Sequence, residues 1–191
     1  MKKSSAVKKF ISMILIALMI AAMAFGVKFM INKYNQLSYP LKYTETVEKY
    51  CSEYDLDKSF VFAVIYCESR FKPDAESRVG ARGLMQITSD TFDWIKYKLK
   101  DDREITFDDM YDPELNIEYG TFLLNYLFGR FEYPQNVLCA YNAGMSVAEK
   151  WLNNPEISEN GIIVSPPYRE TANYMTNVLS VAEKYQKIYF N

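Results

Sequence analysis

Residues 10–27 carry no charge, and only Ser12 and Gly26 interrupt their apolar character. Counting on to Ile31 adds a single charge, Lys28. About 20 consecutive apolar residues cross a bilayer as a helix, so this segment is long enough to do so. Lys2, Lys3, Lys8 and Lys9 precede it, and such a lysine excess predicts a cytoplasmic N-terminus with the rest of the chain outside. A cleaved signal peptide, with Ala22-Met23-Ala24 as its cleavage site, is the competing reading. The apolar run continues through Phe25, Val27, Phe29, Met30 and Ile31, where a cleavage region turns polar, so its length favours a retained anchor. The chain is therefore read as a basic tail (1–9), a membrane-spanning anchor (10–31), a linker (32–39) and one folded domain (40–191).

Charge divides at the same place. The first 36 residues hold six lysines and no acids, which leaves 22 − 6 = 16 basic against 24 acidic residues in the remainder. An acidic domain gains nothing by charge alone from nucleic acid or from an anionic polymer; no nucleic-acid partner is expected. Histidine is absent, which excludes Ser-His-Asp, Cys-His and HExxH sites. Cys51, Cys67 and Cys139 are too far apart for a CxxC motif, and no bond among them is expected. No phosphate-binding or dinucleotide-binding glycine loop occurs. Carboxylates remain as the natural seat of a mechanism, with no metal or cofactor.

Sixteen Tyr and twelve Phe promise a real core, and seven Gly with seven Pro suit helices better than many short strands. Helices are predicted from Pro40 to about Tyr54, from Lys58 to about Ser69 behind Asp57 as N-cap, and from Ser89 to Leu99. Asp112-Pro113 opens a long helix to about Phe131. Asn136–Asn142 and Ser146–Leu152 read as short helices, and a last one runs from about Tyr168 to Tyr189. Residues 72–83 and 161–167 read as loops, and no stretch alternates like a strand. The predicted class is all-α.

The run Phe60-Val61-Phe62-Ala63-Val64-Ile65-Tyr66-Cys67 is apolar all round, so its helix is buried on most sides. Glu68 ends that run. Burial and the negative end of the helix dipole would both raise its pKa, and a carboxyl that stays protonated near neutrality suits a general acid. Taken alone, Glu68 reads first as the end of a core helix, in an ion pair with Arg70 or Arg82.

Its surroundings add specificity. Glu68-Ser69, Ser77 with Gly80-Ala81, Gly83-Leu84-Met85-Gln86, Ala140-Tyr141-Asn142-Ala143-Gly144, and Glu170-Thr171 with Tyr174 stand in this order over about 110 residues. Between them lies Tyr111-Asp112-Pro113-Glu114-Leu115-Asn116 with Gly120. Together these resemble the soluble lytic transglycosylase family, across roughly Leu41 to Tyr185. The resemblance implies a lysozyme-like fold with a substrate cleft and Glu68 as sole catalytic acid and base. It implies Ser77 as a hydroxyl near the acid, Gln86 as an amide on the sugar and Met85 on the same wall. Tyr141 and Asn142 would face the acid across the cleft, and Tyr174 would stand close to it. Each also has a plainer role: Ser77 and Gln86 in loop turns, Met85 and Tyr174 in the core, Asn142 at a helix end. The family often has a proline after Gln86, where Ile87-Thr88-Ser89-Asp90 has none.

The implied reaction is cleavage of the β-1,4 bond between N-acetylmuramic acid and N-acetylglucosamine in peptidoglycan, leaving 1,6-anhydro ends. Two alternatives stand beside it. One is hydrolysis of the goose-type lysozyme kind, with Asp74 or Glu76 positioning a water. The other is a non-catalytic wall-binding module of an envelope machine. Protein partners cannot be read from the chain.

Overall fold

The computed structural model describes residues 2–190 and divides the chain into two units, residues 1–40 and 41–191. The first holds one helix, α1, Lys2–Ser38, of 37 residues. Val7–Ser38 is long and apolar enough to cross a membrane. Its large apolar side chains, Phe10, Leu18, Phe25 and Met30 among them, are exposed. The helix does not stop at Ile31: residues 32–38, read as a linker, are helical as well. Nothing in Asn32–Leu37 breaks a helix, and the first residue that cannot continue one is Pro40.

The second unit is built from α2, Thr44–Tyr54; α3, Lys58–Ser69; α4, Ser89–Leu99; α5, Pro113–Arg130; α6, Pro134–Ala143; α7, Met145–Leu152; and α8, Arg169–Tyr185. A 3-10 turn, Phe107–Tyr111, precedes α5, and a π-helical turn, Gln186–Phe190, follows α8. The helical pattern is interrupted by a hairpin of two-residue strands, Ser158–Glu159 against Ile162–Ile163, inside a segment where no strand is expected. Strands this short show no alternation to read.

Local chemistry sets the helix boundaries. Asp57 accepts the Phe60 backbone N–H at 2.9 Å and starts α3. Asp112 does the same for Leu115 at 2.9 Å, with Pro113 in the first turn of α5. At α4, Thr88 accepts from the Thr91 N–H at 3.3 Å, which supplies the helix start that a proline would otherwise provide.

α3 is the central element. Val61 through Ile65 are wholly buried, and α8 packs along the helix. Phe62 stacks on Tyr185 at 5.7 Å, and Phe60 meets Phe128 edge-on at 5.3 Å. α2 packs on α5, and α6 lies against α5, α7 and α8. Cys51, Cys67 and Cys139 are free thiols.

Because α3 anchors the core, its cap is expected to matter. Asp57→Ala should destabilise the protein by about 1 kcal/mol. For a domain of this size that lowers Tm by roughly 2–4 °C in a calorimetric scan of the detergent-solubilised chain.

Candidate active site

α3 carries Glu68 to the far end of its apolar run. The helix stops because Arg70 and Phe71 adopt left-handed backbone, with φ of 54° and 59°. Phe71 is 2 % exposed and lies against Phe62 and Tyr66. Anchored there, it offsets the cost of its backbone. Glu68 thus sits in the last turn, partly accessible as a residue, with its carboxyl well desolvated.

Neither expected cation pairs with it. The Arg70 guanidinium lies over the Tyr66 ring, 3.8 Å from its centre. Arg82 bonds Asp108 at 2.6 Å, approaches Glu76 at 3.9 Å and covers the Phe107 ring at 4.3 Å. Burial therefore dominates and pushes the Glu68 carboxyl up to about 7. The neighbouring Tyr174 hydroxyl pulls it down, and the Glu170 carboxylate pushes it up a little. The Tyr174 hydroxyl is buried and closes no well-formed hydrogen bond; it lies near enough to act on Glu68 but not in full bonding geometry.

α8 supplies Tyr174 and α6 supplies Tyr141, and the two rings lie parallel with centres 6.4 Å apart. Burial and the nearby Glu68 hold both phenols well above their ordinary pKa. The Tyr141 hydroxyl donates to the Met85 carbonyl at 2.7 Å. Asn142, the next residue, accepts from Thr171 Oγ1 at 2.6 Å and so ties α6 to α8. Glu68, Tyr141 and Tyr174 form one cluster, which Asn142 braces.

The loop residues bond their own backbone. Ser77 Oγ accepts the Ala81 N–H at 3.0 Å and closes a turn. Gln86 stands at φ 50° and spends its amide N–H groups on the carbonyls of Ala75, at 3.1 Å, and Gly83, at 2.9 Å. Only its carbonyl oxygen is left for a ligand. Met85, expected on the cleft wall, is fully buried against Gly120. It backs the wall without offering a surface. Of the two acids named for hydrolysis, Glu76 accepts the Tyr111 hydroxyl at 2.8 Å.

Sequence reasoning gave no role to Asn116, which is fully buried and bonds the backbone of Arg82, Met85 and Met110. A hollow of about 290 Å³ adjoins Tyr141, between Thr91, Trp94, Leu123 and Met145. A larger groove of about 730 Å³ lies around Leu56, Phe60, Phe128 and Leu179, and no predicted site residue lines it. Among the described residues no three His, Cys, Asp or Glu side chains stand together as a metal set.

The raised carboxyl has a consequence for stability. A glutamate at 4.5 when unfolded and about 7 when folded binds its proton more tightly in the native state. The stability this provides is complete below pH 4.5 and is lost as pH rises through about 7. It amounts to about 3 kcal/mol. Glu68→Gln stays neutral throughout. Its Tm should match the wild type near pH 4.5 and exceed it by several degrees at pH 8; equal Tm values at both would contradict the assignment.

The chain is similar to proteins of known family and structure. The soluble lytic murein transglycosylase of Escherichia coli K12 is 32% identical over 151 residues, 78% of this chain and 23% of that protein. The membrane-bound lytic murein transglycosylase C of Pectobacterium atrosepticum is 29% identical over 168 residues, 76% of this chain and 47% of that protein. The structure of a 70-kDa soluble lytic transglycosylase in complex with bulgecin A superposes with a TM-score of 0.77 at 30% identity, covering 82% of this chain and 26% of that one. An inactive Glu-to-Gln mutant of the Pseudomonas aeruginosa lytic transglycosylase Slt gives 0.71 at 28% identity, covering 80% of this chain and 25% of that one. The chain spans about a quarter of the length of the soluble relatives. The Transglycosylase SLT domain family matches residues 45–163, more than half of the chain, and the chain belongs to that family.

Proposed function

We propose that this chain is a membrane-anchored lytic transglycosylase that cleaves the MurNAc-β-1,4-GlcNAc bond of peptidoglycan. α1 is its single membrane span, residues 1–9 are cytoplasmic, and the domain from residue 40 onward acts outside the membrane. The observation that carries this reading is a buried carboxyl without a cationic partner among the described residues, raised to about 7 and flanked by two tyrosines. The relatives named as lytic murein transglycosylases support the same chemistry.

In this reading Glu68 enters the reaction protonated. It donates that proton to the glycosidic oxygen as the bond to the muramic acid C1 breaks, and the N-acetylglucosamine hydroxyl leaves. The substrate's own acetamido oxygen traps the cationic carbon. Glu68, now ionised, takes the proton from the 6-hydroxyl, whose oxygen bonds to C1 as the bond between C1 and the acetamido oxygen breaks, closing the 1,6-anhydro ring and restoring the acetamido group. The proton given in the first step returns in the second, and water is not consumed. The dry side of the site favours the neutral acid before the reaction. Tyr174, whose hydroxyl lies near the carboxyl, favours the anion formed midway. Most glycosidases use two carboxylates; here one serves both steps, and Glu76 is held by Tyr111 and Arg82. Ser77, Gln86 and Asn142 hold the cleft wall, with Met85 behind it. Because the protonated acid starts the reaction, activity falls as pH rises through about 7.

Mass analysis of muropeptides released by the detergent-solubilised protein tests this. Anhydro-muramic acid termini are expected from the wild type, and Glu68→Gln should reduce their release by roughly 10³-fold or more. New reducing ends in place of anhydro ends would indicate a muramidase. Unchanged release by Glu68→Gln would remove the residue from the mechanism.

A further inference from the structure

Asn116 lies on α5, away from the acid in sequence, and is 0 % exposed. Its side chain serves backbone groups alone. Nδ2–H donates to the carbonyls of Arg82, at 2.9 Å, and Met110, at 2.8 Å, and Oδ1 accepts the Met85 N–H at 2.7 Å. One side chain thus fastens the Gly83–Gln86 turn and the 3-10 turn to α5. Two glycines make room for this. A Cβ at Gly83 would lie 2.2 Å from both Asn116 Nδ2 and the Met110 oxygen, and Gly83 has φ +78°. A Cβ at Gly120, one turn further along α5, would lie 2.2 Å from Met85 Sδ.

Held by its N–H and its side chain, Met85 presents its carbonyl to the Tyr141 hydroxyl at 2.7 Å. Tyr141 lies parallel to Tyr174, whose hydroxyl is beside Glu68. The connection runs from Asn116 through the Met85 peptide to Tyr141, Tyr174 and Glu68. Every link but the last is a hydrogen bond, a peptide or a ring stack.

We propose that Asn116 is a positioning residue for the acid: by fixing the Met85 backbone it holds Tyr141, and through it Tyr174, against the Glu68 carboxyl, without touching substrate itself. This rests on the reading of Glu68 as the acid. The titratable groups that face Glu68 are Tyr174 and Glu170 of α8, Tyr141 of α6 and Cys67 of its own helix. None of them belongs to α5, so Asn116 acts on the carboxyl through water exclusion and not through charge. If the tyrosines loosen, water reaches the carboxyl, and its proton is lost at lower pH.

The test is the pH–rate profile of the full chain in detergent on solubilised glycan, for wild type, Asn116→Ala, Tyr141→Phe and the double variant. Tyr141→Phe keeps the ring stack and deletes only the bond to Met85. Each single variant should lower kcat roughly ten-fold with KM within about two-fold. Each should also move the basic limb of kcat down by roughly half a pH unit or more. The double variant should move it no further, because both changes cut one connection. As a control, Thr121→Val removes a buried hydroxyl of α5 that bonds only the Ile117 and Glu118 carbonyls. It should lower Tm and leave the limb in place. A wild-type basic limb in Tyr141→Phe, or shifts that add in the double variant, would overturn the proposal, and Tyr141→Phe decides alone should Asn116→Ala not fold. With Glu68→Gln inactive, an immobile limb removes only the Asn116 connection. A fully active Glu68→Gln removes the acid, and this proposal with it.

Discussion

The site depends on one unbalanced burial: a carboxyl taken out of water at the end of an apolar helix, with neither Arg70 nor Arg82 paired to it. A buried carboxylate paired with arginine stays ionised well below neutrality. Here both nearby arginines are occupied elsewhere. Arg70 is turned away by its left-handed backbone and lies on Tyr66. Arg82 is held by Asp108, Glu76 and the Phe107 ring. Desolvation is left as the largest influence, and the proton stays on Glu68 up to about pH 7. The domain's excess of acid over base works in the same direction, and Glu170 is its nearest instance.

The surrounding motifs serve this burial by packing. The aromatic pair comes from α6 and α8, which Asn142 and Thr171 join. The loop wall comes from residues 75–87, which close on themselves: Gly83 N–H bonds Ala75, and Arg82 and Ile87 exchange N–H···O bonds at 2.9 and 3.0 Å. α5 clamps that wall from behind through Asn116 and accommodates Met85 at Gly120. α6, α8 and the loop, with α5 behind it, thus build the surroundings of a residue whose own helix supplies only its position.

The helices were legible because their signals are local. Asp57 and Asp112-Pro113 mark starts that the structure reproduces to the residue, and Ser89–Leu99 was bounded as observed. The apolar run before Glu68 announced a buried helix with an acid at its end. Other features had no local signal. The helix through Ser38 exceeds the apolar span because polar residues 32–38 are helix-compatible. The hairpin at Ser158–Ile163 is too short for a period. Ser77 and Gln86 were recognised by motif, but whether their polar atoms face a ligand or their own loop depends on Ala81, Ala75 and Gly83. Asn116 stood in plain view in a motif. Its role rests on bonds to residues 31 and 34 positions away, which no periodicity encodes.

The central claim concerns a single proton, and it can be observed without substrate. Carbon-13 NMR of the glutamate side-chain carboxyls, with Glu68→Gln to assign the signal, follows the titration directly. A Glu68 carboxyl titrating at about 7 is the predicted result. A midpoint near 4.5, the value of an unperturbed glutamate, would show that the carboxyl is hydrated or paired after all, and the account of this site would not stand.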